Sequence, residues 1–239
     1  MLRKIAGPCL AATLLAQPGC APSDAPVDAR ASVADTTSPP RDTAGIILFL
    51  GTSLTAGYGI GAEYAYPALI QQKLDSLGYP LRVVNAGISG ETSAGGLRRI
   101  DWSLQQPIEV LVLELGANDG LRGLPVAALR DNLEEIIDRT RKRYPDAAII
   151  IAGMEAPPNL GGPYTTEFRN VFRDVAQEYD AALIPFLLKD VAADPALNQD
   201  DGIHPNIEGQ QRVAANVWRV LHPVIQRQLA RSRVPAATR

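Results

Sequence analysis

The chain is poor in the residues that build metal centres and redox sites. It has two cysteines in 239 residues, Cys9 and Cys20, both within the first twenty. No disulfide can therefore staple the rest of the chain, and no thiolate is available there as nucleophile or ligand. Histidine is equally scarce, with His204 and His222 alone. That leaves no Cys/His cluster of metal-ligand spacing, and neither a metal nor a cofactor is expected. Charge of one sign is missing too. The 23 basic and 26 acidic residues leave a formal charge of −3, with no basic run. Nucleic acid is not an expected partner. Internal repeats are absent. No apolar run is long enough to span a bilayer, since Ile5–Ala16 is too short.

What is present begins with an export signal. Arg3 and Lys4 precede the Ile5–Ala16 segment, and Leu15-Ala16-Gln17-Pro18-Gly19-Cys20 follows. This stretch resembles the lipobox of bacterial lipoproteins, in which cleavage before a cysteine is followed by acylation. It departs from that pattern at Gln17, where leucine is usual, and at Pro18. The resemblance implies a signal over 1–19 and a lipid anchor on Cys20. The product would be a periplasmic or membrane-anchored protein of a bacterial envelope. Residues 20–44 are rich in Ala, Pro, Asp, Ser and Thr, with almost no large apolar side chains. Such a segment cannot bury a core and is expected to be disordered. A flexible tether of about 25 residues has an r.m.s. span of about 25–30 Å.

From 45 to 232 the composition changes to that of one globular domain, followed by a short tail over 233–239. Apolar runs alternate with amphipathic stretches. Strands are expected at 46–50, 81–85, 110–115, 147–152 and 181–184. Leu129, Leu133, Ile136 and Ile137 mark one helix. Phe168, Val171, Phe172 and Val175 mark another, and Val213, Val217, Val220, Leu221 and Val224 a closing one. A helix is expected over 65–77 as well. Strand–helix alternation predicts a three-layer α/β domain with a parallel sheet and right-handed crossovers.

Four polar stretches interrupt this pattern at strand ends. The first is Gly51-Thr52-Ser53-Leu54-Thr55-Ala56-Gly57. Its serine sits at the carboxyl edge of a strand, where open parallel sheets bind ligands, and a serine there can serve as nucleophile. A turn serine is the plainer alternative. The second, Asn85 to Ser93, is a Gly- and Ser-rich turn in which Gly90 offers an unshielded N–H. The third, Glu114 to Gly120, contains Asn118, which suits an oxyanion hole because a carboxamide donates without competing for a proton. Asn-Asp-Gly is also good turn chemistry. The fourth, Gln199 to Asn206, carries Asp201 and His204 three residues apart. At that spacing a loop can hold the carboxylate on one imidazole nitrogen while the other faces a serine. A capped loop with an exposed histidine is the alternative. His222 lacks such neighbours and reads as a surface or packing residue.

Taken together, the domain resembles the SGNH, or GDSL, hydrolases, closest to the thioesterase I/lysophospholipase group and its arylesterase relatives. Gly-Thr-Ser-Leu at 51–54 matches the first block of that family. The stretches 85–93, 114–123 and 201–206 match three later blocks in the same order. The resemblance implies a flavodoxin-like fold with five parallel strands in the order 2-1-3-4-5. It implies Ser53 as nucleophile, His204 as general base and acid, and Asp201 as the group orienting it. It implies an oxyanion hole from the Ser53 and Gly90 N–H groups and the Asn118 amide, with no metal. Two positions depart from the family: Thr52 stands where the signature has Asp, and Ala117 where glycine is common. The Ser…Asp…His order with Asp201 and His204 almost adjacent separates the chain from α/β-hydrolases, as does Thr55, which occupies the place of the second elbow glycine.

The expected chemistry is hydrolysis of aryl, short- to medium-chain acyl, lysophospholipid or thioester substrates. Gly120, Leu121, Met154, Pro157 and Tyr164 are expected to line the crevice. The alternatives are a carbohydrate O-acetyl esterase of the same superfamily, a non-catalytic acyl-binding lipoprotein, and a flavodoxin-like nucleotide binder. The last lacks the Walker lysine.

Overall fold

The computed structural model describes residues 45–232. The expected signal, Cys20 and the 20–44 linker lie outside the described residues, as does the 233–239 tail. Five strands form one parallel sheet: β1 (Gly45–Gly51), β2 (Leu81–Gly87), β3 (Val110–Leu113), β4 (Ala148–Ala152) and β5 (Ala182–Ile184). Their order is β2-β1-β3-β4-β5, as the resemblance implied. The central strands are continuous in large apolar residues because both faces are covered. Ile47, Phe49, Leu50, Leu111, Val112, Leu113 and Ile150 are inaccessible to solvent. β2 is different. It closes one edge of the sheet, and only Leu81 in it is buried.

The helices are α1 (Ser53–Ala56), α2 (Tyr66–Ser76), α3 (Ser93–Ser103), α4 (Ala117–Leu121), α5 (Val126–Arg143), α6 (Gly162–Glu178) and α7 (Ile207–Ser232). α2 packs on α7, while α3, α5 and α6 pack in succession. Right-handed crossovers dictate that split: the chain moves one way from β1 to β2, then the other way to β3, β4 and β5. In α5, Leu129, Leu133, Ile136 and Ile137 form the buried stripe that their spacing predicts. Among the described residues, no helix is long and apolar enough to cross a membrane.

Several boundaries differ from the expected ones. β2 runs two residues further, to Gly87, because it pairs with β1 as far as Gly51. β3 stops at Leu113 because α4 starts three residues after Glu114. The one-turn helices α1 and α4 are too short to show a period in the sequence.

Register places the polar stretches. Gly51 pairs with Gly87 and Leu50 with Leu113. Ser53, Gly90 and Asn118 therefore leave the sheet together at its carboxyl edge. β1 and β3 are neighbours whose crossovers run in opposite directions, so a crevice opens between their carboxyl ends.

Candidate active site

Ser53 opens α1 directly after β1, at the floor of a cavity of about 710 Å³. His204 reaches the same cavity from the loop before α7, 151 residues further along the chain. Its Nε2 lies 2.9 Å from Ser53 Oγ. Its Nδ1 lies 2.6 Å from Asp201 Oδ2. An isolated antiparallel bridge between Asn198 and Pro205 closes the loop that carries both residues.

Asp201 does more than face the imidazole. Its Oδ1 accepts the backbone N–H groups of His204 and Ile203, each at 2.9 Å. The His204 N–H, then the imidazole, then the Ile203 N–H hold the carboxyl down to about 2. It is thus a carboxylate throughout the neutral range, able to fix the tautomer of His204 and to stabilise an imidazolium. Asp200 is exposed and makes no comparable contact with the imidazole.

The second and third polar stretches meet above Ser53. Gly90 lines the cavity at φ +77°, with nothing within 4 Å of where a Cβ would stand. Its carbonyl accepts Arg122 at 2.8 Å. Asn118 also lines the cavity, and its amide nitrogen donates to the Glu91 carbonyl at 3.0 Å. A carboxamide nitrogen carries two hydrogens, so a second N–H remains for an incoming oxygen. The Glu91 carboxylate is paired with Arg99, which also donates to the Gly51 carbonyl at 3.1 Å. Asp119 accepts the Ser93 N–H at 2.8 Å and the Ser93 hydroxyl at 2.6 Å. The oxyanion-side loop is thereby tied to β1, α3 and α4 at once.

The expected cavity-lining residues divide. Leu121, Met154 and Pro157 line the cavity. Gly120 and Tyr164 do not. Gly120 is packed on the Phe168 ring, which stands 2.8 Å from where its Cβ would be. The Tyr164 hydroxyl donates to the Leu124 carbonyl, and its ring stacks on Phe168. The helical period of α6 places Tyr164 four residues before Phe168, on that helix's packed face. The cavity wall instead gains Phe186 and Leu188, from the segment after β5, and Tyr58. His222 bonds the Tyr79 hydroxyl and stacks on Trp218, the packing role expected of it.

One further residue carries no motif signature of a role in the sequence. Glu114 is fully buried against Thr52 and Thr55, the residues flanking Ser53. Its carboxylate accepts the Thr52 N–H at 2.8 Å, the Thr52 hydroxyl at 3.0 Å and the Thr55 hydroxyl at 2.7 Å. The Tyr66 hydroxyl lies 2.6 Å from Thr55 Oγ1 and extends the network. Burial pushes the carboxyl of Glu114 up, and the threonine donors oppose that rise. A lone carboxylate in an otherwise apolar run, Val110 to Leu115, was the available signal. Thr52, at the position of the family's Asp, supplies two of the donors. Among the described residues, no group of three or more His, Cys, Asp or Glu is arranged to hold a metal ion.

Residues 49–212 match the model of the GDSL-like Lipase/Acylhydrolase family. The chain is 40% identical to esterase TesA of Pseudomonas aeruginosa over 180 residues, covering 75% of this chain and 89% of the relative. It is 38% identical to thioesterase 1/protease 1/lysophospholipase L1 of Escherichia coli over 198 residues, covering 82% and 88%. Among solved structures, it superposes with a TM-score of 0.72 on the psychrotrophic esterase EstA from Pseudoalteromonas, inhibited by monoethylphosphonate. That pair shares 34% identity over 76% of this chain and 99% of the other. Agreement of this extent in both sequence and fold places the chain in the GDSL-like lipase/acylhydrolase family: it is an SGNH hydrolase.

Proposed function

We propose that this chain is a serine esterase that cleaves carboxylic esters through an acyl-enzyme on Ser53. The observation that carries the reading is the relay from Ser53 to His204 to Asp201, at 2.9 and 2.6 Å, opening on an apolar cavity. His204 takes the hydroxyl proton as Ser53 Oγ attacks the carbonyl carbon. The oxyanion develops toward the Ser53 and Gly90 N–H groups and the free N–H of Asn118. Removing one such donor typically costs about 10²–10³ in turnover. His204 then protonates the leaving alcohol or thiol. Water attacks the acyl-enzyme with the same imidazole as base, releasing the acid and restoring Ser53.

Leu54, Leu121, Met154, Pro157, Phe186 and Leu188 around the cavity suit an acyl or aryl group better than a sugar. Aryl esters and short- to medium-chain acyl esters are the proposed substrates. Lysophospholipids and acyl thioesters are included on the strength of the E. coli relative's name. A series of p-nitrophenyl esters from acetyl to decanoyl, with one acyl thioester, tests the range. The Ser53→Ala protein should fold normally and turn over none of them. Full turnover by that variant would refute the assignment.

The proposed location is the bacterial envelope, reached through the signal at 1–19 and held there by acylated Cys20.

A further inference from the structure

The Ser53–His204 contact joins two segments with 150 residues between them, the short buried helix α1 after β1 and the loop before α7. A circuit of hydrogen bonds runs between them. The Ser53 carbonyl accepts the Tyr58 N–H at 3.0 Å. The Tyr58 carbonyl accepts Gln199 Nε2 at 2.7 Å. The same nitrogen donates to the Pro205 carbonyl at 3.1 Å, and the Gln199 N–H donates to the His204 carbonyl at 2.8 Å. Two carbonyl acceptors on one side fix which end of the amide is nitrogen. The chain makes room for this amide at Gly59, at φ +77°, where a Cβ would stand 2.0 Å from Gln199 Oε1. Once tied, Tyr58 lays its ring against the imidazole, with centroids 4.6 Å apart and planes at 42°. Buried Gln210 makes a separate tie, from α7 to the Tyr66 N–H and the Leu54 carbonyl.

We propose that Gln199 and Tyr58 form a brace that positions His204 against Ser53: the carboxamide pins the nucleophile loop to the histidine loop, and the pinned aromatic ring backs the imidazole. Gln199 is a positioning residue that acts through His204; Tyr58 shares that role and also lines the cavity, so an effect on KM is expected of Tyr58 alone. The proposal rests on the esterase reading above. Its physical content is pre-organisation. A displacement of about 1 Å at a proton-transfer pair costs up to about 10² in rate, while ground-state binding in the cavity is left alone.

Three variants test the brace. Gln199→Glu keeps the size but sets a carboxylate against two carbonyl oxygens. Gln199→Met keeps the length, removes the donors and adds no charge beside His204. Tyr58→Leu keeps every backbone bond and removes the ring. Each is assayed with p-nitrophenyl butyrate, by the rate of Ser53 modification with a fluorophosphonate, and by urea unfolding. The expected result for both Gln199 variants is a kcat about 10- to 100-fold lower, with KM within about twofold. Phosphonate modification should slow by the same factor, and the unfolding midpoint should match that of wild type. Tyr58→Leu should lower kcat in the same direction. Wild-type kcat and phosphonate rates in Gln199→Met and Tyr58→Leu overturn the brace. So does a loss of activity that only tracks a lowered unfolding midpoint. A wild-type protein that neither turns over esters nor reacts at Ser53 overturns the esterase reading beneath it, and the brace with it.

Discussion

Two carboxylates near Ser53 behave in opposite ways, and their surroundings explain why. Asp201 sits on an open loop, where three N–H groups stabilise its charge and depress its pKa. Its interactions therefore stabilise the fold fully above the ordinary carboxylate value and are lost as pH falls toward about 2. Urea unfolding of wild type and Asp201→Asn should differ most above pH 4. The two curves should converge between pH 4 and 2, and a constant difference across that window would contradict the assignment. Glu114 is fully buried, so desolvation is the larger influence and its pKa is raised. Three donors, the Thr52 N–H and the Thr52 and Thr55 hydroxyls, converge on its two oxygens. Glu114→Gln must turn an NH₂ group toward one of them. A buried donor left without an acceptor costs about 1–3 kcal/mol, so this variant should lose stability of that order in urea titrations.

At the scale of elements, much of the cavity wall comes from the connections after β3, β4 and β5, where the proposed acyl specificity would be set. The sheet delivers Met154 two residues beyond the end of β4, where it is buried and faces the cavity. Met154→Ala removes most of the side chain from that wall. The cavity should then accept longer acyl groups. The ratio of kcat/KM for decanoyl over butyryl esters should rise about 10-fold, as expected from a few methylenes gaining apolar contact. An unchanged ratio would place the acyl chain elsewhere. The cost in stability for such a buried truncation is about 2–5 kcal/mol. Helices α5 and α6 contribute nothing directly to the cavity chemistry. They do decide what faces it: Tyr164 is held on Phe168 by the period of α6, which is why a tyrosine in a promising loop sequence ends up outside the wall.

At the scale of the whole molecule, the proposed anchor and the catalytic domain are separable. Residues 45–232 fold around their own core, and Cys20 lies 25 residues before Gly45. Cys20→Ser should therefore shift the expressed protein from the membrane fraction to the soluble fraction and abolish palmitate labelling. Its esterase kinetics on soluble substrates should be unaltered. Membrane association unchanged by this substitution would exclude the lipid anchor.

The strand–helix alternation, the buried stripes of α5 and α6 and the four polar stretches at strand ends were all legible along the chain. Each depends on local periodicity, or on residue types whose spacing is short. Asp201 and His204 could be paired for the same reason, being three residues apart. The roles of Glu114, Tyr58 and Gln199 were not legible. A carboxylate inside an apolar run has meaning only once register sets it under Thr52, and an amide in a loop only once Tyr58 is brought to it from 141 residues away. The order of residues along the chain settles which groups the protein can use and on which edge of the sheet they emerge. Tertiary structure alone decided their distances, their burial and which of them touch, because those quantities depend on strand register and loop closure between segments that are remote along the chain.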